Sequence, residues 1–327
     1  MMKLPRRNFL HLAAGAATLP SMSRFAWAQG YPTRPVRIVV GYAAGGPADI
    51  VARLIAQWLS ERLGQPFLVE NRTGAATNIA TEAVVRAPAD GYTLLFVHAA
   101  NAFNTTLYDK LNFNFIRDIV PVASLIRSPS VLEVNPSVPA KTVPEFIAYA
   151  KANPGKLTMA SSGIGTPSHV FGELFKVMTS VDIVHVPYRG LAAALTDLLG
   201  GQVQVTFASV PSSIAYIKAG RLRALAVTSA KRSEALPDLP TVGEFVPGYE
   251  TSLWLGLGAP KGTPAEIIDT LNQETNAALS DPKIKARLAD DLGGTVLPGT
   301  PADFGKLITD ETEKWSKVIR SAGTKPQ

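Results

Sequence analysis

The sequence contains no cysteine. This absence excludes disulfide bonds, a thiol nucleophile and any metal site with cysteine ligands, so the hydrophobic core alone must stabilise the fold. Charged residues are also few, at 18% of the chain, whereas hydrophobic residues make up 46%. With 327 residues, 26 glycines and 25 prolines, this composition indicates neither a coiled coil nor a disordered chain but a globular protein with room for two domains.

The net positive charge is small once the N-terminal segment is removed. The formal net charge is +6, but residues 1–28 hold basic residues and no acid: Lys3, Arg6, Arg7 and Arg24. Removing these four from the 32 basic residues leaves 28 against 26 acidic ones, a net charge of +2. No basic run remains, and a nucleic-acid-binding surface would need one. We therefore predict no nucleic-acid partner.

No hydrophobic run is long enough to span a bilayer core of about 30 Å. The short apolar stretch at residues 12–19 belongs instead to an N-terminal targeting pattern, which starts with Arg6-Arg7 and ends in the small residues of Ala26-Trp-Ala28. Adjacent arginines before such a stretch resemble a twin-arginine export signal; a plain secretory signal with a chance arginine pair is the alternative. Both predict a mature protein that starts near Gln29 and is soluble in the periplasm.

Strand and helix patterns alternate along the rest of the chain. A β-branched run, Val36–Val40, precedes an amphipathic helix predicted over Ile50–Leu63, with Asp49 as its N-cap. Similar units continue to residue 97 and resume between residues 144 and 227. This alternation predicts an α/β fold of right-handed βαβ units with mostly parallel sheets.

Two extended segments, Leu125–Val131 and Thr251–Leu255, connect the two series. A chain that leaves one α/β unit, builds a second and returns has the topology of a hinged, two-lobed protein with a cleft between the lobes. We predict that residues 29–127 and 251–327 form lobe 1 and that residues 128–250 form lobe 2.

Two glycine-rich turns follow predicted strands. In the first, Val40–Asp49, the spacing Gly41-x4-Gly46 is that of a P-loop, but Pro47 and Ala48 replace the lysine and hydroxyl residue that hold phosphate and Mg²⁺. In the second, Ser161–His169, Gly163-x-Gly165-x-x-Ser168 nearly matches the dinucleotide fingerprint. No acidic residue ends the next strand, however, so the pattern argues against nicotinamide or flavin binding.

Both turns have the features of an anion site. Ligands of open α/β sheets bind beyond the carboxyl ends of the strands, where helix N-termini present free N–H groups. Because neither turn has a lysine or a metal ligand, the anion that fits them is a carboxylate rather than a polyphosphate. The alternative is that both are ordinary tight turns. The other polar candidates at strand ends are Asn78, His98, Tyr188, Arg189 and Ser209.

The sequence shows no established catalytic pattern. It has no G-x-S-x-G elbow, no S-x-x-K with K-T-G, and no H-E-x-x-H. After cleavage only His98, His169 and His185 remain, and none has metal-ligand spacing to another. We predict a non-enzymatic protein without metal or cofactor.

Many short motifs, in order along nearly the whole mature chain, resemble one family, the Bug periplasmic solute-binding receptors of tripartite tricarboxylate transporters. These motifs are Tyr31-Pro-Thr-Arg-Pro35, Val36-Arg-Ile-Val-Val40, Gly45-Gly-Pro-Ala-Asp-Ile-Val-Ala-Arg53, Leu68-Val-Glu-Asn-Arg72, Asp90-Gly-Tyr-Thr-Leu94, Asn153-Pro-Gly-Lys-Leu157, Gly163-x-Gly165-Thr-x-x-His169, Val184-His-Val-Pro-Tyr188, Ala194-Leu-Thr-Asp-Leu-Leu-Gly-Gly201 and Leu222-Arg-Ala-Leu-Ala-Val-Thr-Ser229. The resemblance implies a two-lobed, type II-like periplasmic binding-protein fold with crossing hinge strands. It also implies a monomer that passes a small organic carboxylate to membrane permease subunits.

The resemblance further implies that backbone groups and waters hold the carboxylate between two jaws. The residues expected at the site are Tyr42, Ala44, Gly45, Gly46, Asn78, His98, Ser161, Gly163, Gly165, Thr166, His169, Tyr188, Ala208 and Ser209.

The chain departs from the family pattern at several cleft positions. Pro47 and Ala48 stand where the family often has glycine and threonine, Thr77 where it often has glycine, and Ala208-Ser209 where it often has Asp-Asn. A less polar or aromatic carboxylate is therefore as consistent with the cleft as citrate. Two other functions stay open: an orphan sensor that signals to a membrane kinase, and a secreted hydrolase using Ser161 or Ser168 with His169.

Overall fold

The computed structural model describes residues 30–108, 110–233 and 235–322, so the export signal predicted at residues 1–28 lies outside the described residues. The described chain forms two β-sheets, each covered by helices. The strands are β1 (Val36–Val40), β2 (Phe67–Asn71), β3 (Thr93–His98), β4 (Ile119–Ser128), β5 (Ser130–Val134), β6 (Thr158–Ser161), β7 (Val184–Pro187), β8 (Val205–Ser209), β9 (Arg223–Val227), β10 (Leu253–Pro260) and β11 (Thr295–Val296).

Helices follow most strands, as the alternation predicts. They are α1 (Pro47–Leu63), α2 (Asn78–Val85), α3 (Ala99–Leu107), α4 (Phe115–Asp118), α5 (Val143–Ala152), α6 (Pro167–Thr179), α7 (Leu191–Leu199), α8 (Val210–Lys218), α9 (Ala265–Ser280), α10 (Pro282–Leu292) and α11 (Pro301–Ala322). Among the residues that the structure describes, none of these helices is long and apolar enough to cross a membrane.

The two sheets are mixed rather than mostly parallel. The first has the order β11-β4-β10-β3-β1-β2 and the second β7-β6-β8-β5-β9. Within each, the βα units pair in parallel, as in β2-β1-β3 and β7-β6-β8. The crossing strands β4, β5 and β10 pair antiparallel with their neighbours because the chain enters and leaves each unit through them. The expectation of mostly parallel sheets is therefore wrong for these strands, whereas the two-lobed α/β architecture is confirmed.

The crossing between the sheets occurs at Pro129. Strand β4 ends at Ser128 in the first sheet, and β5 starts at Ser130 in the second. Proline has no N–H to donate to a ladder, and this favours a change of partner strand at such a residue. The chain returns through Thr251, whose amide donates to the carbonyl of Thr228 in the second unit, and then enters β10 of the first sheet.

The last helix, α11, packs against helices on both sides of the crossing. Its fully buried Trp315 lies edge-on to Phe103 of α3, with ring centroids 5.0 Å apart, and stacks on Phe171 of α6 at 5.5 Å. The indole N–H of Trp315 donates to the Glu311 carboxylate at 2.8 Å. Aromatic packing therefore joins the two units beside the crossing strands.

Two local expectations are wrong. Helix α1 begins at Pro47 with Gly46 as its N-cap, so Asp49 lies inside the first turn. Proline at the first helical position has the φ angle that a helix needs, so the helix can begin there. In addition, helix α3 directly follows β3 where the sequence indicated only a strand end. The His98 ring accepts the amide of Ala100, and Asn101 accepts the amide of His98, in a capping box that has histidine in the usual position of serine.

Candidate functional site

One cavity of about 740 Å³ opens between the two units. Residues of the first unit, of the second unit and of the crossing strands line it. Its lining residues are Tyr42, Ala43, Ala44, Gly45, Gly46, Pro47, Ala48, His98, Ser130, Ser162, Thr166, Pro167, Ser168, Gly190, Leu191, Ala192, Leu195, Thr196, Phe207, Ser209, Ser212, Tyr216, Leu253 and Leu255. The volume falls within the range of roughly 300–1,000 Å³ typical of small-molecule sites.

Five helices begin at this cavity, and in one of them, α3, the N-cap residue His98 caps its own helix. The N-cap residues of α1, α6, α7 and α8 are Gly46, Thr166, Gly190 and Ser209, and all four line it. In none of the four does the N-cap side chain accept a hydrogen bond from the helix. Helix N-termini carry a partial positive charge and unpaired N–H groups, so this end of the sheets favours an anion.

The first glycine-rich turn is held in place from behind. The amide of Gly45 donates to Asp49 at 2.9 Å, and the same carboxylate binds Arg53 and Asn71. Burial opposes ionisation of Asp49, but hydrogen bonds from Arg53, the Gly45 amide and Asn71 outweigh it and lower the pKa. Asp49 therefore fixes the turn rather than facing the ligand. Because the Gly45 amide is used and Pro47 has no N–H, the free donors at the start of α1 are the amides of Ala48 and Asp49, next to the methyl groups of the alanines that line the cavity.

Three hydroxyl groups dominate the second turn. The Ser168 hydroxyl oxygen lies 3.0 Å from that of Ser162 and 3.1 Å from that of Thr166. Thr166 donates to the carbonyl of Gly163 at 2.6 Å, and the Ser162 amide donates to Ser168. Because Thr166 donates its proton to Gly163, Ser168 donates to Thr166 and Ser162 donates to Ser168, so all three hydroxyl protons have a partner within the turn. We call Ser162, Thr166 and Ser168 the hydroxyl cluster.

The amides of the second turn are largely used within the protein. Gly165 donates to Nδ1 of His169 at 3.2 Å, Gly163 donates to the Ser161 hydroxyl, and Thr166 donates to the Gly163 carbonyl. In this structure the turn therefore offers hydroxyl groups, and fewer backbone donors than the glycine spacing alone suggests.

His98 and Tyr42 form a hydrogen-bonded pair at the cavity wall. Nδ1 of His98 accepts the amide of Ala100 at 3.2 Å and lies 3.1 Å from the Tyr42 hydroxyl. An Nδ1 that accepts an amide proton carries no proton itself, so this network assigns the proton of the neutral ring to Nε2. Burial lowers the pKa of His98 to about 3, so at neutral pH the ring is an uncharged donor.

Seven of the expected site residues line the cavity: Tyr42, Ala44, Gly45, Gly46, His98, Thr166 and Ser209. The other seven are not among its lining residues. Ala208 is buried in β8 next to Ser209. The Tyr188 hydroxyl donates to Asp197 at 2.7 Å, and Asn78 accepts from Asn104, whose side-chain oxygen lies beside Gly165 of the second turn.

Ser161 and His169 belong to a buried cluster behind the second turn. The Ser161 hydroxyl lies 2.6 Å from Nε2 of His185, and the rings of His169 and His185 stack with centroids 4.0 Å apart. Burial, and then the neighbouring His185 and Lys176, lower the pKa of His169 to about 3. These residues support the turn that carries the hydroxyl cluster.

The apolar part of the cavity wall was not predicted from the sequence. Leu191 and Leu195 of α7 and Tyr216 of α8 belong to one cluster beneath these two helices, and all three line the cavity. We call these three residues the apolar wall. The topology offered a signal, because α7 and α8 also start at the carboxyl ends of parallel strands.

The cavity walls carry no charge. Within the described part of the chain, no lysine, arginine, aspartate or glutamate lines the cavity. Groups of three or more histidine, aspartate and glutamate side chains that could hold a metal are also absent from residues 30–108, 110–233 and 235–322. The site is therefore built for neutral hydrogen bonding and apolar contact.

Two α/β units joined by crossing strands around one such cavity define the class of periplasmic binding proteins. Comparison with known proteins gives the family. The model of the tripartite tricarboxylate transporter family receptor matches residues 51–324, so the chain belongs to this family. The family inferred from the short motifs is therefore confirmed.

Solved relatives extend over nearly the full chain. R. palustris Rpa4515 with adipate is 40% identical, with a TM-score of 0.83 over 91% of this chain and 100% of that one. The periplasmic binding protein BugD is 35% identical, with a TM-score of 0.80 over 91% and 100%. MatC from Rhodopseudomonas palustris with bound malate is 33% identical, with a TM-score of 0.80 over 88% and 100%.

Proposed function

We propose that this protein is a periplasmic receptor that captures a small organic carboxylate and delivers it to the permease subunits of a tripartite tricarboxylate transporter. The observation that carries the proposal is the cavity between the units, where four helices begin with uncapped N-termini. Helix N-termini favour an anion. Membership of the receptor family supports the same function, as do relatives solved with adipate and malate.

The lobes that close on the ligand are proposed as residues 29–127 with 251–327, and residues 128–250. The distribution of strands supports this division, because β1–β4, β10 and β11 form one sheet and β5–β9 the other. Helix α11 contacts both units through Trp315. When the lobes rotate, this helix must therefore either slide against one of them or bend. A ligand that contacts both lobes stabilises the closed form.

We propose a binding role without catalysis, in a monomer. Of the two serines considered for a hydrolase, Ser161 is fully buried and pairs with His185, outside the cavity lining. Ser168 lines the cavity, but its hydroxyl contacts Ser162 and Thr166 rather than a histidine. Neither arrangement gives a cavity-facing nucleophile with a base.

Calorimetric titration of the mature protein with organic acids tests the proposal. Each acid is paired with its amide, which has a similar shape and no charge. We expect at least one acid to bind with a Kd near 1 μM, about −8 kcal/mol, and its amide to bind far more weakly. Small-angle scattering at saturating acid should show a smaller radius of gyration. Equal binding of acid and amide, or no binding of any acid, would count against a carboxylate receptor.

A further inference from the structure

Positive charge is concentrated in one stretch of the second unit. Residues 183–233 hold a single acidic residue, Asp197, and six basic ones: Arg189, Lys218, Arg221, Arg223, Lys231 and Arg232. Six positive charges less one negative charge give this stretch a net charge of +5, whereas the chain without residues 1–28 has a net charge of only +2. The stretch contains α7 and α8, two of the helices that begin at the cavity. The positive charge therefore lies on one side of the cavity.

Some of these charges are paired within the protein. Arg223 donates to two main-chain carbonyls just before α5, at 2.8 and 3.0 Å. Arg232 forms an ion pair with Glu244 at 3.0 Å. The acid of the stretch, Asp197, accepts the hydroxyl of Tyr188. Two other arginines, one beside α7 and one beside α8, have no carboxylate partner among the residues that the structure describes.

The first of these, Arg189, lies at the rim of the cavity. Strand β7 pairs in parallel with β6 and ends level with the second glycine-rich turn, since Pro187 lies opposite Ser161. The Tyr188 amide donates to the Ser161 carbonyl at 3.0 Å, so the chain stays beside that turn. Gly190 then lines the cavity as the N-cap of α7. The Arg189 side chain between them is exposed, and within the described ranges it makes no hydrogen bond, ion pair or ring contact.

The second arginine, Arg221, lies behind the apolar wall. Its guanidinium carbon is 5.7 Å from the ring centroid of Tyr216, which lines the cavity. Its amide donates to the Tyr216 carbonyl at 2.9 Å, and this bond holds the turn after α8 against the helix. Arg221 is exposed, so its charge stays in water. We call Arg189 and Arg221 the rim pair.

An exposed charge beside a binding cavity acts on the approach of a ligand more than on the bound state. Exchange of a charge at the rim of an interface typically changes the association rate and its salt dependence. The field of such a charge extends over roughly 30 Å at 0.01 M salt but only about 8 Å at 0.15 M. One positive charge about 8 Å from an entering carboxylate in water raises the local concentration of this anion roughly twofold.

We infer that the rim pair is an electrostatic capture site that accelerates the entry of anionic ligands into the cavity. Neither arginine lines the cavity, so the pair acts before the ligand is bound, and the groups inside the cavity set the rate of dissociation. Capture of this kind requires the charge and not the planar shape of a guanidinium group. The inference rests on the proposed function and adds to it two residues and the step that they serve.

Stopped-flow measurement of ligand association with the mature protein tests the inference. The probe is the acid that binds most tightly among adipate, malate, citrate and benzoate, as selected by calorimetry. At about 0.01 M salt we expect the association rate constant to fall roughly twofold in Arg189→Gln and in Arg221→Gln, and about fourfold in the double variant. These differences should shrink at about 0.15 M salt. The dissociation rate constant should not change.

Two controls separate capture from other effects. Lysine at both positions keeps the charges, so this double variant should associate as fast as the unmodified protein. Lys156→Gln also removes one exposed and unpaired charge, but from the end of β6 away from the second turn, and should change the rate little.

Three results would contradict the inference and leave the receptor function standing. They are an unchanged association rate in the double glutamine variant, an equal loss in Lys156→Gln, and a change confined to dissociation, which would indicate direct contact with the bound acid. Binding of none of the four acids would overturn the proposed function, and this inference with it.

Discussion

The hydroxyl of Tyr42 lies 3.1 Å from Nδ1 of His98, and the centroids of their rings are 4.6 Å apart. Tyr42 belongs to the glycine-rich turn after β1, and His98 ends β3, so this contact joins two strand ends at the cavity. Together with the Ala100 amide, it also leaves the proton of the neutral His98 ring on Nε2.

His98→Asn should separate the two roles of this histidine. Asparagine is a favoured N-cap, so it can still accept the amide of Ala100, but its shorter side chain cannot place a donor where Nε2 lies. We expect the affinity for the best acid to fall by about tenfold, near 1.4 kcal/mol, while the free energy of unfolding changes by less than about 1 kcal/mol. Titration calorimetry and urea unfolding measure the two quantities. Unchanged affinity in the variant would remove His98 from the site.

Glu133 should make the protein less stable as pH rises. This residue of β5 is fully buried, and one carboxylate oxygen accepts from Ser213 while the other lacks a partner. Burial raises its pKa from 4.5 to about 8, although the Ser213 bond opposes the shift. The folded protein therefore holds a proton that the unfolded chain has lost above pH 4.5. This contribution is complete below pH 4.5 and is lost as pH rises through 8.

Glu133→Gln keeps the shape and removes the titration. We expect the unmodified protein to lose stability relative to this variant between pH 5 and pH 8, as measured by urea unfolding at each pH. The difference between the two proteins isolates Glu133 from the buried histidines. Those have lowered pKa values, so their contribution is present above pH 6.5 and is lost as pH falls toward 3. A difference that does not change with pH would mean that Glu133 is ionised throughout.

Trp315 should contribute more to stability than any exposed aromatic residue. Its ring is fully buried between Phe103 and Phe171. Trp315→Ala should cost about 3–5 kcal/mol, because truncation of a buried aromatic ring removes packing and leaves a cavity. Phe245→Ala is the control, since this ring is 40% exposed, and should change stability by less than about 1 kcal/mol. Urea unfolding compares them, and similar losses would show that α11 is not packed between the two units.

The regular alternation of the sequence predicted most of the fold. Strand β1 has the bounds of the predicted run, Val36–Val40, because this nearly continuous β-branched run is ended by a glycine. Helix α3 was missed because its first residues are small and its cap is a histidine, which is not a usual capping residue. The antiparallel pairing of β4, β5 and β10 depends on contacts distant in sequence, which local patterns do not record.

The polar half of the site was predictable and the apolar half was not. Glycine-rich turns after β1 and β6 directed attention to Tyr42 and Thr166, and both line the cavity. Leu191 and Leu195 fit the apolar face of a helix. Hydrophobic periodicity does not distinguish a side chain that packs in the core from one that lines a cavity. The amide of Gly45 donates to Asp49 and that of Gly165 to His169. A sequence pattern does not show that these two side chains reach back to the turns, so these bonds were not predicted.

Export should depend on the adjacent arginines near the N-terminus. Replacing Arg6 and Arg7 with lysine keeps the charge but removes the arginine pair that defines a twin-arginine signal. We expect the variant to accumulate in the cytoplasm, as shown by cell fractionation, and the exported unmodified protein to start at Gln29, as shown by mass spectrometry. Normal export of the lysine variant would indicate a general secretory signal instead.

The turn before α2 should carry backbone strain that glycine can relieve. Ala75, Ala76 and Thr77 have φ angles of 45°, 49° and 80°, a conformation that side chains with a β-carbon rarely adopt. Ala76 also lies opposite Gly165, since a β-carbon added to this glycine would be 3.6 Å from that of Ala76. The strained turn therefore forms part of the contact between the two units.

Ala76→Gly should stabilise the protein by about 0.5–1 kcal/mol. Glycine adopts the positive φ without steric cost, and this gain exceeds the entropy that an additional glycine adds to the unfolded chain. Thr77 is less suitable for the test, because its hydroxyl accepts from Asn101 at 3.1 Å. Ala286→Gly, at an exposed position of the regular helix α10, is the control and should destabilise by about 1 kcal/mol. Urea unfolding of the two variants should therefore give shifts of opposite sign. Destabilisation by both substitutions would show that Ala76 is not held in the left-handed conformation in solution.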